Sequence, residues 1–342
     1  MAIDPTLLLI ILLVLSFVIA FGIGGNDEAL APVVGSGAVK MKWVLLIGII
    51  VNIAGSILLG GAVSETIGEG LLNTESPSPL PNAAVQNLFL AVIISTSIFL
   101  ILSSTKGLPV STTVSVVGGV IGVGVYYIIG FGSDIVVWGG FTSVLLGWII
   151  SPIAGLLISI GIYWLIRRFI LTRPKGLRGI EQMEKYFLYI LIAVVIVVSF
   201  SRAGNDVGNA VGVLYGFGES LTLPADIILL AIGGTGIGIG LFVLGRKVLK
   251  NVGKNIIEMR PSDAFAVQTS VMIIILTATI LGFPISGTVV LIFAIIGNSI
   301  IKHVRFNKKT VKEIVISWGL TVPVTLFVSM GICALLFVVN PI

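Results

Sequence analysis

The sequence predicts an all-α integral membrane protein that consists of two transmembrane repeats with opposite orientation. Hydrophobic residues make up 56% and charged residues 10% of the 342 residues, whereas soluble domains carry about 25% charged residues. With a mean hydropathy of +1.17, one globular core could not bury this apolar surface. The motif Gly-Asn-Asp occurs at 25–27 and again at 204–206, which predicts an internal repeat.

The long apolar runs have the length of membrane-crossing helices. Several reach the roughly 20 residues that span a bilayer, and none shows the short alternating pattern of membrane β-strands. The runs lie at 6–22, 43–63, 83–102, 114–131, 135–166, 186–200, 225–245, 264–281, 286–301 and 313–340. Because Asp4 stands where a secretory signal would carry basic residues, we expect the first run to be retained as a helix.

The positive charges predict the orientation of the chain in the membrane. Most of the 20 Lys and Arg residues fall in four segments, at 40–42, 167–185, 246–260 and 302–312. By the positive-inside rule these segments are cytoplasmic. The connections without Lys or Arg lie at 64–82, 131–134 and 217–224. We therefore expect these connections and both termini to be extracytoplasmic in a multi-pass protein of the cell membrane. The net charge of +5 reflects orientation and does not indicate nucleic-acid binding.

This topology predicts two halves that follow the same path with opposite orientation. The first repeat, 1–166, starts outside and ends inside, and the second repeat, 186–342, starts inside and ends outside. The basic segment 167–185 is the predicted cytoplasmic linker. Each half makes an odd number of crossings, whether its excursion at 83–131 or 264–301 is a full helix pair or a re-entrant hairpin. Inverted repeats are typical of secondary transporters.

The two Gly-Asn-Asp motifs lie inside apolar stretches that are longer than one membrane span needs. Helix breaks at Gly24–Gly25 and at Ala203–Gly204 would free backbone carbonyls next to polar side chains. The four predicted cation ligands are Asn26, Asp27, Asn205 and Asp206. Such an all-oxygen cluster suits a hard cation such as sodium. The alternative is a structural ion pair between Asp206 and Arg202, four residues before it.

The segments PVSTT at 109–113 and PISGT at 284–288 predict an anion site. In each, a proline stops one helix and a serine caps the next, so that N–H groups and hydroxyls gather at a positive helix end. The alternative is that both are simple helix caps. If the two ends meet near the midplane, they would bind one small tetrahedral oxyanion through Ser111, Thr112, Thr113, Ser286, Gly287 and Thr288.

Cation ligands beside an anion site predict cation-coupled anion symport and not an enzyme. The bound cations would supply the counter-charge that the anion needs. An ATP-driven pump is disfavoured because no G-x-x-x-x-G-K-[ST] motif occurs. An ion channel and an intramembrane enzyme built on the paired aspartates remain as alternatives. Sulfate is the nearest competing substrate, but only hydrogen phosphate can donate a hydrogen bond to an acceptor such as Asp27 or Asp206.

The segments GGNDEALAPVVGSGAV and AGNDVGNAVG resemble the duplicated G-A-N-D-V-A-N-A signature of the inorganic phosphate transporter (PiT) family of sodium- or proton-coupled phosphate symporters. The P-[VI]-S-x-T segments are also similar to those of that family. The resemblance implies about twelve helical segments in two inverted repeats, each with a helical hairpin and a broken helix. It further implies phosphate at the hairpin tips, co-transported sodium at the aspartates, and a homodimer.

The sequence departs from the PiT pattern in its first motif. Glu28 and Pro32 stand where the family usually has small or apolar residues and Asn. Leu30 stands in the place that Asn209 fills in the second motif. This difference bears on which ions the first half binds, and a proton-coupled phosphate or sulfate permease is the alternative to sodium-coupled phosphate import by alternating access.

Further polar residues are candidates for the lining of the transport cavity, and they are Gln86, Gln268, Asn209 and Arg202. Interhelical hydrogen bonds explain the two glutamines equally well. The glycine-rich segment 233–240 lies inside an apolar run, which predicts close helix packing and not a dinucleotide loop. We also expect contact with membrane lipids, including acidic headgroups at the basic linker.

Overall fold

The computed structural model describes residues 4–35, 39–73, 80–107, 110–132, 134–174, 176–215, 225–255, 259–304 and 308–339. Within these ranges the chain forms thirteen α-helices and no β-strand, with one isolated antiparallel bridge between Leu72 and Val136. Nine of the described helices are long and apolar enough to cross a membrane. The prediction of an all-α multi-pass membrane protein is therefore confirmed.

The helices of the first half are α1 (Pro5–Gly25), α2 (Ala31–Gly35), α3 (Met41–Leu59), α4 (Gly61–Gly70), α5 (Asn82–Lys106), α6 (Thr112–Phe131) and α7 (Trp138–Ile166). The helices of the second half are α8 (Gly176–Tyr215), α9 (Asp226–Val243), α10 (Arg246–Asn255), α11 (Pro261–Ile280), α12 (Gly287–Lys302) and α13 (Lys308–Val339). Helices α5 and α6 form the first hairpin, and α11 and α12 form the second hairpin.

Helix boundaries differ from the sequence prediction in two places. The run at 43–63 contains two helices, α3 and α4, which meet at Gly60. The predicted linker 167–185 is mostly helical, because a π-helical turn at Arg167–Leu171 continues α7 and α8 begins at Gly176. At about 1.5 Å per residue, the 40 residues of α8 exceed the roughly 30 Å of a hydrocarbon core. Its charged first turns can therefore extend beyond the bilayer. The predicted outer connection 217–224 lies outside the described residues.

The predicted helix break is present in the first half. Helix α1 ends at Gly25, and the chain is not helical again until α2 begins at Ala31. The Asp27 carboxylate accepts a hydrogen bond from the Ala29 amide (2.9 Å), a local turn that competes with helix. Pro32 lies in the first turn of α2, where a missing amide N–H costs nothing.

The break predicted at Ala203–Gly204 is wrong, because α8 is continuous through that segment. No proline follows the second motif, and Val211 stands at the position equivalent to Pro32. The helix also packs too closely for an unwound segment, since a Cβ atom added at Gly204 would lie 2.6 Å from the Leu59 Cβ atom. The second motif therefore presents side chains, and not freed carbonyls, to its surroundings.

The last long helix of each half packs against the hairpin of the other half. Helix α13 contacts α5 and α6, and α7 contacts α11 and α12. Around the two motifs the contacts are equally reciprocal, since α1 packs on α9 and α3 packs on α8. Each half thus encloses the hairpin of its counterpart.

The glycine-rich segment of α9 allows close helix packing, as predicted. A Cβ atom added at Gly240 would lie 1.9 Å from the Phe21 carbonyl oxygen, and one added at Gly236 would lie 2.7 Å from the Ala20 Cβ atom. Both neighbours belong to α1. The backbones of α1 and α9 therefore touch, and any side chain between them would separate the helices.

We predict that Gly240→Ala lowers the melting temperature of the purified protein in detergent. The added methyl group meets a backbone carbonyl that cannot move away, and overpacking of this kind costs about 1–3 kcal/mol. Gly161→Ala is the matched control, because nothing lies within 4 Å of a Cβ atom at that helical glycine. Equal melting temperatures for the two variants would contradict the proposed backbone contact.

Candidate functional site

The serines of the two Pro-x-Ser motifs cap α6 and α12. The Ser111 hydroxyl accepts a hydrogen bond from the Val114 amide (3.2 Å), and the Ser286 hydroxyl accepts one from the Val289 amide (3.4 Å). Pro109 lies outside the described residues. Both serines are therefore helix N-caps, as the simpler of the two interpretations predicts. A hydroxyl that accepts a hydrogen bond can still donate its own proton, so capping leaves each serine able to contact an anion.

The tips of the two hairpins touch each other. The Thr113 hydroxyl in α6 donates to the Ile285 carbonyl oxygen, which precedes α12 (3.3 Å). The Asn209 amide in α8 donates to the same hydroxyl (3.3 Å), and the Thr112 hydroxyl donates to Asp206 Oδ1 (3.1 Å). The structure therefore brings the starts of α6 and α12 together beside the second Gly-Asn-Asp motif.

The asparagines of the Gly-Asn-Asp motifs hold the hairpin tips. Asn26 Nδ2 donates to the Val110 carbonyl (3.1 Å), and the Val110 amide donates back to Asn26 Oδ1 (3.2 Å). In the second half, Asn205 Nδ2 donates to the Phe283 carbonyl (2.9 Å), and the Ile285 amide donates to Asn205 Oδ1 (3.3 Å). Asn26 thus pairs with the residue between the proline and the serine of its tip, whereas Asn205 pairs with the residues on either side of Pro284. The sequence did not predict this role.

The acidic residues of the motifs surround the guanidinium group of Arg202. Its Nε atom lies 3.6 Å from Asp27 Oδ1 and 3.5 Å from Asp206 Oδ2. Its Nη1 atom donates to Glu28 Oε1, and its Nη2 atom donates to the Thr288 hydroxyl (3.3 Å). All five side chains are buried. The expected pair between Arg202 and Asp206 is present, and the tertiary structure adds Asp27 and Glu28.

The cluster carries more negative than positive charge. With all four charged groups ionised, three carboxylates face one guanidinium group, which leaves two negative charges without a partner among the described residues. Burying unpaired charge at membrane depth is costly, and such residues mark ion paths. The cluster is therefore suited to attract cations.

The carboxylates converge on Arg202 and not on a common metal position. Within the described ranges, no group of three or more His, Cys, Asp and Glu side chains is arranged to hold a metal ion. Asp27 and Asp206 each direct one carboxylate oxygen toward the guanidinium group, at 3.6 Å and 3.5 Å from Arg202 Nε. The assignment of sodium ligands therefore stays a prediction.

The other predicted residues lie at different distances from the tips. Gln268 Nε2 donates to the Ala29 carbonyl in the segment between α1 and α2 (3.3 Å). Gln86 is buried near the start of α5, 20 residues before the helix end at Lys106 and thus about 30 Å from it at 1.5 Å per residue. Gly287 lies against Arg202, since a Cβ atom there would be 2.8 Å from the guanidinium Nε.

Glu28 is the residue that sequence reasoning missed as part of the site. It is fully buried and pairs with Arg202. The sequence signal is a second acidic residue directly after Asp27 in an apolar stretch. Its long side chain reaches an arginine 174 positions away, a contact that local sequence cannot reveal.

We predict that Asn26→Leu destabilises the protein. The change removes both partners of the Val110 backbone groups, and each unpaired buried polar group costs about 1–3 kcal/mol. Asn298→Leu is the matched control, because the buried Asn298 amide has no hydrogen-bond partner among the described residues. Thermal melting in detergent compares the two. A melting temperature of Asn26→Leu equal to that of the control would show that the hydrogen bonds between Asn26 and Val110 do not stabilise the protein.

Comparisons with known proteins agree on one family. The model of the Phosphate transporter family matches residues 22–329. A "putative phosphate permease" of Pyrococcus abyssi is 30% identical, with 99% of this chain and 100% of the relative covered. The chloroplastic inorganic phosphate transporter 2-1 of Arabidopsis thaliana is 26% identical, with 95% of this chain and 71% of the relative covered.

A solved structure described as the sodium-dependent phosphate transporter has the same fold. It matches with a TM-score of 0.87 and 27% sequence identity, covering 97% of this chain and 100% of that chain. The family and this structural neighbour are transporters and not enzymes. These matches show what the paired motifs and the touching hairpin tips indicate, namely that the chain belongs to the phosphate transporter family.

Proposed function

We propose that this protein imports inorganic phosphate together with sodium ions across the cell membrane by alternating access. The observation that carries the proposal is the contact between the two hairpin tips at Thr113 and Ile285, directly beside the buried carboxylates. Family membership supports the phosphate substrate. The sodium-dependent structural neighbour supports the coupling ion.

The anion half of the site consists of the starts of α6 and α12. Two helix N-termini point their unpaired N–H groups and positive dipole ends toward one place. The hydroxyl groups of Ser111, Thr112 and Thr113 come from one tip, and those of Ser286 and Thr288 come from the other. Arg202 adds a fixed positive charge beside Gly287, and its planar donors match the oxygens of phosphate.

The cation half consists of Asp27 and Asp206. The cluster already holds excess negative charge, so phosphate would be repelled until cations bind. Bound sodium ions remove that repulsion, which makes anion binding depend on the cations. Asn26 and Asn205 use one side-chain oxygen lone pair each on a tip amide. We therefore assign them mainly to positioning the tips, with the aspartates as the chief sodium ligands.

Inverted repeats provide the route for alternating access. The reciprocal contacts of α7 and α13 with the opposite hairpins support repeats at 1–166 and 186–342, joined by the basic segment 167–185. In the structure, the site residues at both tips are buried. Transport then requires the hairpins to move against α1, α3, α8 and α9. Extracytoplasmic termini, a homodimer and lipid contacts of the basic segment stay predictions.

We predict sodium-driven phosphate uptake by the purified protein in proteoliposomes. Radiolabelled phosphate is supplied under an inward sodium gradient, an inward proton gradient or neither, with excess unlabelled sulfate as competitor. The expected result is uptake that requires sodium and is unaffected by sulfate. Uptake driven only by protons would contradict sodium coupling, inhibition by sulfate would contradict the selectivity, and no uptake under any gradient would contradict the proposed function.

We predict that Asp27→Asn and Asp206→Asn weaken the sodium dependence of uptake, whereas Thr288→Val weakens phosphate binding. Each aspartate change removes a charged sodium ligand, so the half-saturating sodium concentration should rise about tenfold.

Thr288→Val removes one hydroxyl contact to the anion. Loss of such a contact to a charged group costs about 1.5–3 kcal/mol, so the phosphate KM should rise at least about tenfold.

Asp4→Asn is the control for the aspartate variants. Asp4 is exposed and caps α1 with its carboxylate, a role that asparagine fills equally well. This variant should transport like the wild-type protein. Unchanged sodium dependence in both motif variants would contradict the assigned cation site.

A further inference from the structure

The carboxylate of Glu28 contacts the groups to which the proposed function assigns phosphate. It accepts a hydrogen bond from Arg202 Nη1, and it interacts with the side chain of Thr288 at the start of α12. Arg202 Nη2 donates to the same Thr288 hydroxyl (3.3 Å). An anionic side chain of this protein thus lies beside both the fixed cation and the second hairpin tip.

Glu28 and Arg202 do not satisfy all of each other's hydrogen-bonding atoms. Glu28 is 0% exposed, yet its Oε2 atom has no hydrogen-bond partner in the described part of the chain. Arg202 Nε is likewise without a hydrogen bond there. The site therefore has one hydrogen-bond donor and one acceptor that its own side chains do not use. Buried polar atoms without partners are costly, so a bound ligand that pairs with them would be favoured.

The position of Glu28 permits displacement. It lies in the non-helical segment between α1 and α2, so its backbone is not fixed by a helical hydrogen-bond ladder. Carboxylate and phosphate both offer an arginine two oxygens in a plane and compete for the same donors. A phosphate ion that binds the Nη1 donor of Arg202 must displace Glu28 from it.

We propose that Glu28 is an internal substitute for the substrate anion, which occupies the Arg202 and Thr288 donors in the empty carrier and is displaced when phosphate binds. This inference rests on the proposed function. Glu28 thereby lowers the apparent affinity for phosphate. The released carboxylate adds a further unpaired negative charge to the cluster, which strengthens the requirement for bound cations.

The test measures sodium-dependent binding of radiolabelled phosphate to the purified full-length protein in nanodiscs, together with the KM of uptake. Glu28→Gln keeps the shape of the side chain and removes its charge. Glu28→Asp keeps the charge but is one methylene shorter, so it should not reach Arg202 and Thr288. Glu181→Gln is the control, because Glu181 is exposed near the start of α8 and loses the same charge outside the site.

Both Glu28 variants are expected to bind phosphate about tenfold more tightly than the wild-type protein, a coupling within the usual range between two sites. Their KM should fall with the Kd while the maximal rate does not rise, and Glu181→Gln should match the wild type. If Glu28→Asp binds like the wild type while Glu28→Gln binds more tightly, net charge alone is responsible and displacement is wrong. Weaker binding in both variants would also overturn the inference.

The wild-type protein separates this inference from the proposed function. Absence of phosphate binding in the wild type would mean that the proposed function fails, and the inference fails with it. Wild-type binding with unchanged Kd in both variants would overturn the inference alone. Should melting curves show that a variant is unfolded, Glu28→Ala takes its place, because it removes the carboxylate entirely and has the same expected direction.

Discussion

The ion pairs of Arg202 join three segments of the chain that are far apart in sequence. Asp27 and Glu28 come from the segment between α1 and α2, Asp206 lies one turn along α8, and Thr288 lies in the first turn of α12. A guanidinium group cannot be buried at membrane depth without acceptors. The arrangement of these segments therefore depends on the cluster, and the cluster places charge beside the hairpin tips.

Neutral hydrogen bonds from Asn26 and Asn205 to the hairpin tips, which we call the asparagine clamps, complete this arrangement. Asn26 and Asn205 each satisfy backbone groups where a hairpin tip cannot form its own helical hydrogen bonds. Such groups cannot form hydrogen bonds with water inside a bilayer, so they must be paired within the protein. Each clamp is adjacent in sequence to an aspartate, so a proposed sodium ligand and a tip contact are neighbours on the same backbone. This proximity gives the proposed ion coupling a physical path.

A rigid scaffold surrounds the tips. Backbones touch between α1 and α9 at Gly240, and between α3 and α8 at Gly55, where a Cβ atom would lie 2.1 Å from the Phe200 carbonyl oxygen. Close-packed helices transmit movement as rigid units. The hairpin tips meet each other through the hydrogen bond from Thr113 to Ile285, and the first tip meets α8 through hydrogen bonds at Asp206 and Asn209. Such hydrogen bonds are far easier to exchange than backbone contacts. The division between scaffold and tips thus fits a carrier whose hairpins move.

The sequence by itself determined the fold class and marked the segments that form the candidate site. Apolar runs must become helices in a bilayer because every backbone group has to be paired, and the duplicated Gly-Asn-Asp and Pro-x-Ser segments marked both tips. Only the tertiary structure decided that α8 remains unbroken, that the asparagines clamp backbone, and that Glu28 pairs with Arg202. Each of these depends on which groups meet across more than 70 residues of sequence. Local sequence sets which groups must find partners, whereas helix packing sets which partners they find.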